Sequence, residues 1–178
     1  MTEPVRKTVA LPDGAVSCLE WPGNGTPLHF AHATGFNGET YRSLLQPLAE
    51  TFHIFAGDAR GHGFSTLTAD PKSNANWAVY RDDLVQLLDA LDGRPIVLAG
   101  HSMGATTSLM AAAARPARVS GLVLIEPVIV PWQAWFLSRI PKSFGLYKGP
   151  NLADRAAQRR DRFPSFDAAF AAYRGRGA

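Results

Sequence analysis

The chain has 178 residues, 46% hydrophobic and 19% charged, which suffices for one sizeable core and leaves little for a second independent domain. No stretch approaches the roughly 20 apolar residues that a membrane helix needs, and the polar start Met-Thr-Glu-Pro-Val-Arg-Lys lacks the apolar run of a secretory signal. The single cysteine, Cys18, excludes an internal disulfide and a cysteine metal cluster, so a cytoplasmic protein without metal or cofactor is expected. The net charge of +3 is uneven: nine Lys/Arg face three Asp/Glu from Arg139 onward. That excess is not interleaved with aromatics on a binding module, so a nucleic-acid partner is not expected; its two readings are a solvated helix face and an attraction for anionic substrates.

In chain order, Val5 to Ala10 and Val16 to Trp21 are short, partly alternating runs separated by Pro12-Asp13-Gly14, a β-hairpin with its turn residues in place. Leu28 to Ala31 reads as a strand leading into His32-Ala33-Thr34-Gly35-Phe36-Asn37-Gly38. Apolar residues at Tyr41, Leu44, Leu45 and Leu48 predict a helix over Thr40 to Glu50. His53 to Ala56 is the next strand, followed by Gly57-Asp58-Ala59-Arg60-Gly61-His62-Gly63-Phe64-Ser65. Trp77 to Leu91 carries an apolar stripe of Trp77, Tyr80, Leu84, Leu87, Leu88 and Leu91, with Asn76 as N-cap and Gly93 as stop.

Ile96 to Ala99 is a short apolar strand. Gly100-His101-Ser102-Met103-Gly104 turns out of it into an Ala-rich helix running to about Arg115. A glycine two residues to each side of Ser102 suits a strained strand-to-helix turn, which tolerates little bulk and pushes the serine hydroxyl into the open. The Met103 amide, at the start of the helix, would face a developing oxyanion. Val119 to Ile125 is another apolar strand, ending at Glu126-Pro127. Strands alternating with helices through short links imply a mostly parallel α/β sheet covered by helices on both faces. Beyond Pro131 the pattern changes. Trp132, Trp135 and Phe136 cluster near prolines, and two further helices are expected, Leu152 to Arg162 and Phe166 to Tyr173. The expected division is a core over 1–130 and a partial helical cap over 131–178.

Three loops thus fall at the carboxyl ends of parallel strands, where such sheets gather their sites. Asp58-Ala59-Arg60-Gly61-His62-Gly63-Phe64-Ser65 resembles the D-x-R-G-H-G-x-S signature of the α/β-hydrolase superfamily, and Gly-His-Ser-Met-Gly lies at the expected distance downstream. The resemblance covers nearly the whole chain to Glu126 and implies an α/β-hydrolase fold. It makes Ser102 the nucleophile of a hydrolase acting on an ester or similar acyl compound of small size. Phe36 N–H is the favoured partner of Met103 N–H in the oxyanion hole. A second register, with His32-Ala33 in place of the family's His-Gly, makes Thr34 the donor instead. The resemblance also makes Asp58, Arg60 and His62 structural. Charge-assisted hydrogen bonds from Asp58 and Arg60 would hold their loop.

Two readings stand for Glu126, 24 residues after Ser102. It is the acid that orients a catalytic histidine, as in a subset of the superfamily that includes haloalkane dehalogenases, or a carboxylate anchoring its loop. Family order places the histidine last, yet no histidine follows His101. His29 and His53 lie in strands as packing residues, and His101 points away if Ser102 points into the site. The chain therefore reads as the amino-terminal portion of a longer hydrolase, lacking the final strands. In that form it is either an unarmed hydrolase or a catalytically inactive binding module, with lyase or cofactor-free chemistry as a third class on the same fold. Oligomeric state is not legible.

Overall fold

The computed structural model describes residues 3–70, 76–91, 93–129, 160 and 162–174. The chain divides into two compact units, Met1–Val130 and Pro131–Ala178. In the first, β1 (Val5–Leu11) and β2 (Gly14–Trp21) form the hairpin, with Leu11 paired to Gly14 across the Pro12-Asp13 turn. β3 (Thr26–Ala31), β4 (Phe52–Gly57), β5 (Ile96–His101) and β6 (Val119–Ile125) follow. The sheet order is β1-β2-β4-β3-β5-β6. β2 meets β4 antiparallel, and β4, β3, β5 and β6 run parallel.

The period of two along each strand sends side chains into two separate cores. Val16 and Cys18 of β2 and Ile96 and Leu98 of β5 pack with Leu84, Leu87 and Leu88 on one face. Leu19, Trp21, Leu28, Phe30, Ile54 and Ala99 pack with Leu45 on the other. Burial on both faces is why the central strands are nearly continuous apolar runs. Burial also pushes the Cys18 thiol up to about 12, which leaves it an inert packing residue.

The segment expected as one helix over Thr40 to Glu50 is broken. A 3-10 turn, Gly38–Tyr41, leads into α1 (Arg42–Leu45) and then a second 3-10 turn, Gln46–Glu50. Pro47 lacks an N–H and its ring crowds the carbonyl four residues back, so the α-helical ladder cannot run through it. α2 spans Ala78–Ala90, and Asn76 Oδ1 accepts from Ala78 N–H at 2.8 Å. α3 spans Met103–Ala114.

β6 is the outer strand among the described residues, with Leu122, Val123 and Ile125 exposed. In the second unit α4 (Phe166–Arg174) exposes Phe166, Phe170 and Tyr173 along one stripe. The helix expected over Leu152 to Arg162, and the cluster of Trp132, Trp135 and Phe136, lie outside the described residues. Among the described residues no helix is long and apolar enough to cross a membrane.

His29, central in β3 and 4% exposed, has an unpartnered buried Nδ1. Burial, with a smaller push from His32, depresses its pKa to about 4. The unfolded chain titrates near 6.5, so between these values the unfolded state binds a proton that the folded state refuses. Stability therefore falls on acidification from about pH 6.5 to 4, by about 3 kcal/mol for this one group. Urea unfolding midpoints across that range should show the loss, and His29→Leu should flatten the profile.

Candidate active site

The turn after β5 holds Ser102 at φ 53°, ψ −116°, a left-handed conformation for a residue with a side chain. Such strain costs on the order of 1–3 kcal/mol and persists only where the surroundings fix it. Here Ser102 N–H donates to Ile125 O of the neighbouring strand at 2.9 Å, and Ser102 O accepts from Thr106 N–H of α3 at 3.1 Å. The flanking glycines are dictated by contact. A Cβ on Gly104 would lie 2.1 Å from Ala31 O, and one on Gly100 would lie 2.5 Å from the Gly104 carbonyl carbon. α3 starts immediately after Ser102, so the Met103 amide is one of the first-turn N–H groups without an intrahelical partner. Among the described residues no group is hydrogen-bonded to the Ser102 hydroxyl.

The loops after β3 and β4 are locked by buried polar groups. Asp58, 1% exposed, accepts from Gly38 N–H and Phe64 N–H, both at 2.9 Å, and from Arg6 at 3.2 Å. Arg60 forms a two-pronged pair with Asp83 of α2, at 2.8 and 2.7 Å, and reaches Asp13 in the hairpin turn. His32 Nδ1 faces Ala33 O at 2.8 Å while Nε2 accepts from Ala59 N–H at 2.9 Å. That pattern assigns the proton to Nδ1 of a neutral ring, and burial lowers its pKa. The His62 ring likewise bridges Arg60 O, at 2.9 Å from Nδ1, and Gly35 N–H, at 3.1 Å from Nε2. Asp58, Arg60 and His62 thus occupy anchoring positions. Asp83 does not stand out in the sequence. The pointers to it are the buried stripe of α2, where it sits between Tyr80, Leu84 and Leu87, and the need of Arg60 for a carboxylate.

The residues expected to form an oxyanion hole are placed as follows. Met103 is buried under the elbow, and its Sδ accepts from Thr34 Oγ1 at 3.3 Å. Phe36 N–H is committed to Ala33 O at 3.1 Å, closing a turn. Ala33, Gly35 and Gly38 amides also donate inside the protein. Of the two registers, the one with Phe36 as donor meets an amide already engaged, and the one with Thr34 does not.

Glu126 follows β6 at φ 48°, the other non-glycine residue with positive φ among those described. Its side chain is 84% exposed, and Oε2 lies 3.7 Å from His101 Nε2, an ion-pair distance too long for a hydrogen bond. His101 Nδ1 is 2.7 Å from the Tyr41 hydroxyl. His53 bonds Glu20 at 2.6 Å. All five histidines of the sequence are therefore described, and none is bonded to Ser102.

A parallel sheet with a strained serine elbow and two anchored loops at its carboxyl edge is matched over residues 26–176 by the alpha/beta hydrolase fold family model. The chain belongs to that family. It is 34% identical over 121 residues to monoglyceride lipase from Rattus norvegicus, covering 64% of this chain and 39% of that one. It is 34% identical over 104 residues to 2-(acetamidomethylene)succinate hydrolase from Mesorhizobium japonicum, covering 58% and 36%. A solved structure of E-2-(acetamidomethylene)succinate hydrolase superposes with a TM-score of 0.64 at 29% identity, covering 73% of this chain and 46% of that one. The chain thus spans about two fifths of the length of the curated relatives it matches.

Because the atoms a Gly104 Cβ would meet are backbone, the elbow cannot yield to it. Gly104→Ala should destabilise this alpha/beta hydrolase core by about 3 kcal/mol, read as a drop in the urea midpoint. Asp83→Ala, which leaves the buried Arg60 guanidinium with Asp13 as its remaining carboxylate partner, should cost a similar amount.

Proposed function

We propose that the chain carries the nucleophile of a hydrolase that cleaves an ester or similar acyl bond in a small molecule. The observation behind the proposal is Ser102, held at φ 53° at the head of α3 with its hydroxyl unengaged among the described residues. The two relatives named above are a lipase and a succinate hydrolase, both hydrolases by name.

In this reading the Ser102 oxygen attacks the acyl carbon and the carbonyl oxygen takes up negative charge. Met103 N–H and Thr34 N–H receive that charge, and donors aimed in advance at an oxyanion are worth roughly 3 kcal/mol each. Thr34 replaces Phe36 because the Phe36 amide is already spent on Ala33 O. Glu126 is the acid for an imidazole that takes the serine proton, and that imidazole is none of the five in this sequence. Without its base the serine is a weak nucleophile, and loss of a triad histidine costs on the order of 10⁶ in kcat.

A second reading, a catalytically silent member of the family, is favoured by the same observation that no histidine bonds Ser102. A fluorophosphonate probe separates the two. On the nucleophile reading the purified chain is labelled slowly at Ser102, added imidazole accelerates labelling, and Ser102→Ala abolishes it. An unlabelled parent chain, or label that survives Ser102→Ala, supports the silent member instead.

A further inference from the structure

A run of polar contacts beside the elbow includes two side chains, Tyr41 and His101, that take no part in the chemistry above. Ala33 N–H, in the loop after β3, donates to the Tyr41 hydroxyl at 3.3 Å. That hydroxyl lies 2.7 Å from Nδ1 of His101, the last residue of β5 and the neighbour of Ser102. The other ring nitrogen, Nε2, faces Glu126 Oε2 at 3.7 Å. One proton arrangement sets a donor against an acceptor at every step. The Tyr41 hydroxyl accepts from Ala33 and donates to Nδ1, and the ring proton sits on Nε2, toward the carboxylate. The opposite tautomer would turn a nitrogen lone pair on a carboxylate.

Tyr41 is itself firmly seated. It closes the 3-10 turn Gly38–Tyr41, which Asn37 caps through Thr40 N–H at 3.2 Å. Its ring packs at 4.6 Å from that of Phe30 and edge-on to Phe36 at 6.1 Å. The hydroxyl therefore joins two bodies, the loop holding Thr34 and the strand end holding Ser102, while the ring supplies ordinary packing. Packing alone would be served by phenylalanine.

We propose that Tyr41 and His101 are positioning residues: their hydroxyl–imidazole strut fixes the Ala33–Gly35 loop against the elbow. The role rests on the reading of Ser102 as nucleophile and Thr34 as oxyanion donor. It acts through the backbone at Ala33 rather than by contact with substrate.

Tyr41→Phe in the full chain removes the hydroxyl and keeps the ring. In the parent, ¹⁵N chemical shifts recorded on the deprotonated form of the His101 ring should report the Nε2–H tautomer, and in Tyr41→Phe the two tautomers should mix. Amide exchange at Ala33 should quicken about tenfold for the lost bond, while Leu98 in the core of β5 keeps its parent rate. Fluorophosphonate labelling of Ser102 should slow about tenfold as the donor loop loosens. A folded Tyr41→Phe with unchanged His101 tautomer and unchanged Ala33 exchange would overturn the strut. Faster exchange with an unchanged labelling rate would overturn its positioning role. A parent chain that takes no label counts against the nucleophile, and exchange and tautomer then decide the strut by themselves.

Discussion

The site depends on one close approach, that of the Gly104 backbone to the carbonyls of Ala31 and His32. With no side chain at Gly104 or Gly100, α3 can start directly against the ends of β3 and β5. Ser102 is then forced into the left-handed region because the chain must reverse within one residue. The strain is offset by hydrogen bonds on both sides, from Ser102 N–H to β6 and from Thr106 to Ser102 O. The same approach brings the loop after β3 alongside the head of α3, where Thr34 meets Met103. Ser102 and the amides of Met103 and Thr34 are therefore not separately placed features. They follow from a single packing contact that only glycine permits.

Around that contact the protein spends buried charge on loops rather than on chemistry. Asp58 accepts amides from both the β3 loop and its own, and so holds two backbone turns with one carboxylate. Arg60 binds Asp83 on α2 and Asp13 in the hairpin, tying together three segments far apart in sequence. Each such group would be costly if left unpaired. Fully paired, they make the edge of the sheet rigid enough to keep a serine off its preferred backbone geometry. His32 and His62 serve as bridges between loops, which explains why two imidazoles close to the site are not its base.

What the sequence made legible was whatever depends on local rules. Strand and helix positions from β1 to β6 followed from apolar periodicity, and the elbow from its two glycines between an apolar strand and a helix. The break at Pro47 was also readable, since proline interrupts a helix by its own chemistry, but the four apolar residues around it outweighed it. The pairing of Arg60 with Asp83, and of Tyr41 with His101, could not be read. Partners 23 and 60 residues apart meet only once the sheet order is set, and nothing in spacing encodes that order. For the oxyanion loop, both registers fit the residue types. The difference lies in which amide the Ala33–Phe36 turn consumes, a property of backbone path rather than of side chains.

The distribution of histidines separates two requirements that a complete triad merges. Holding a serine in a strained elbow needs β3, β5, β6 and α3, all present among the described residues. Activating it needs an imidazole within hydrogen-bond reach, yet His32, His53, His62 and His101 are bonded to other groups and His29 is enclosed within β3. Geometry at Ser102 is therefore stored in the sheet and does not depend on the base. Glu126, proposed for the second requirement, is shaped by the first. Its positive φ follows from the way β6 ends beside the elbow, where Thr106 Oγ1 bonds Val128 N–H and O, and this sets the carboxylate at the open edge of the site. An acid so exposed gains little from its 3.7 Å approach to His101. The carboxylate is open to a group approaching from solvent, which is the condition the proposed acid role requires.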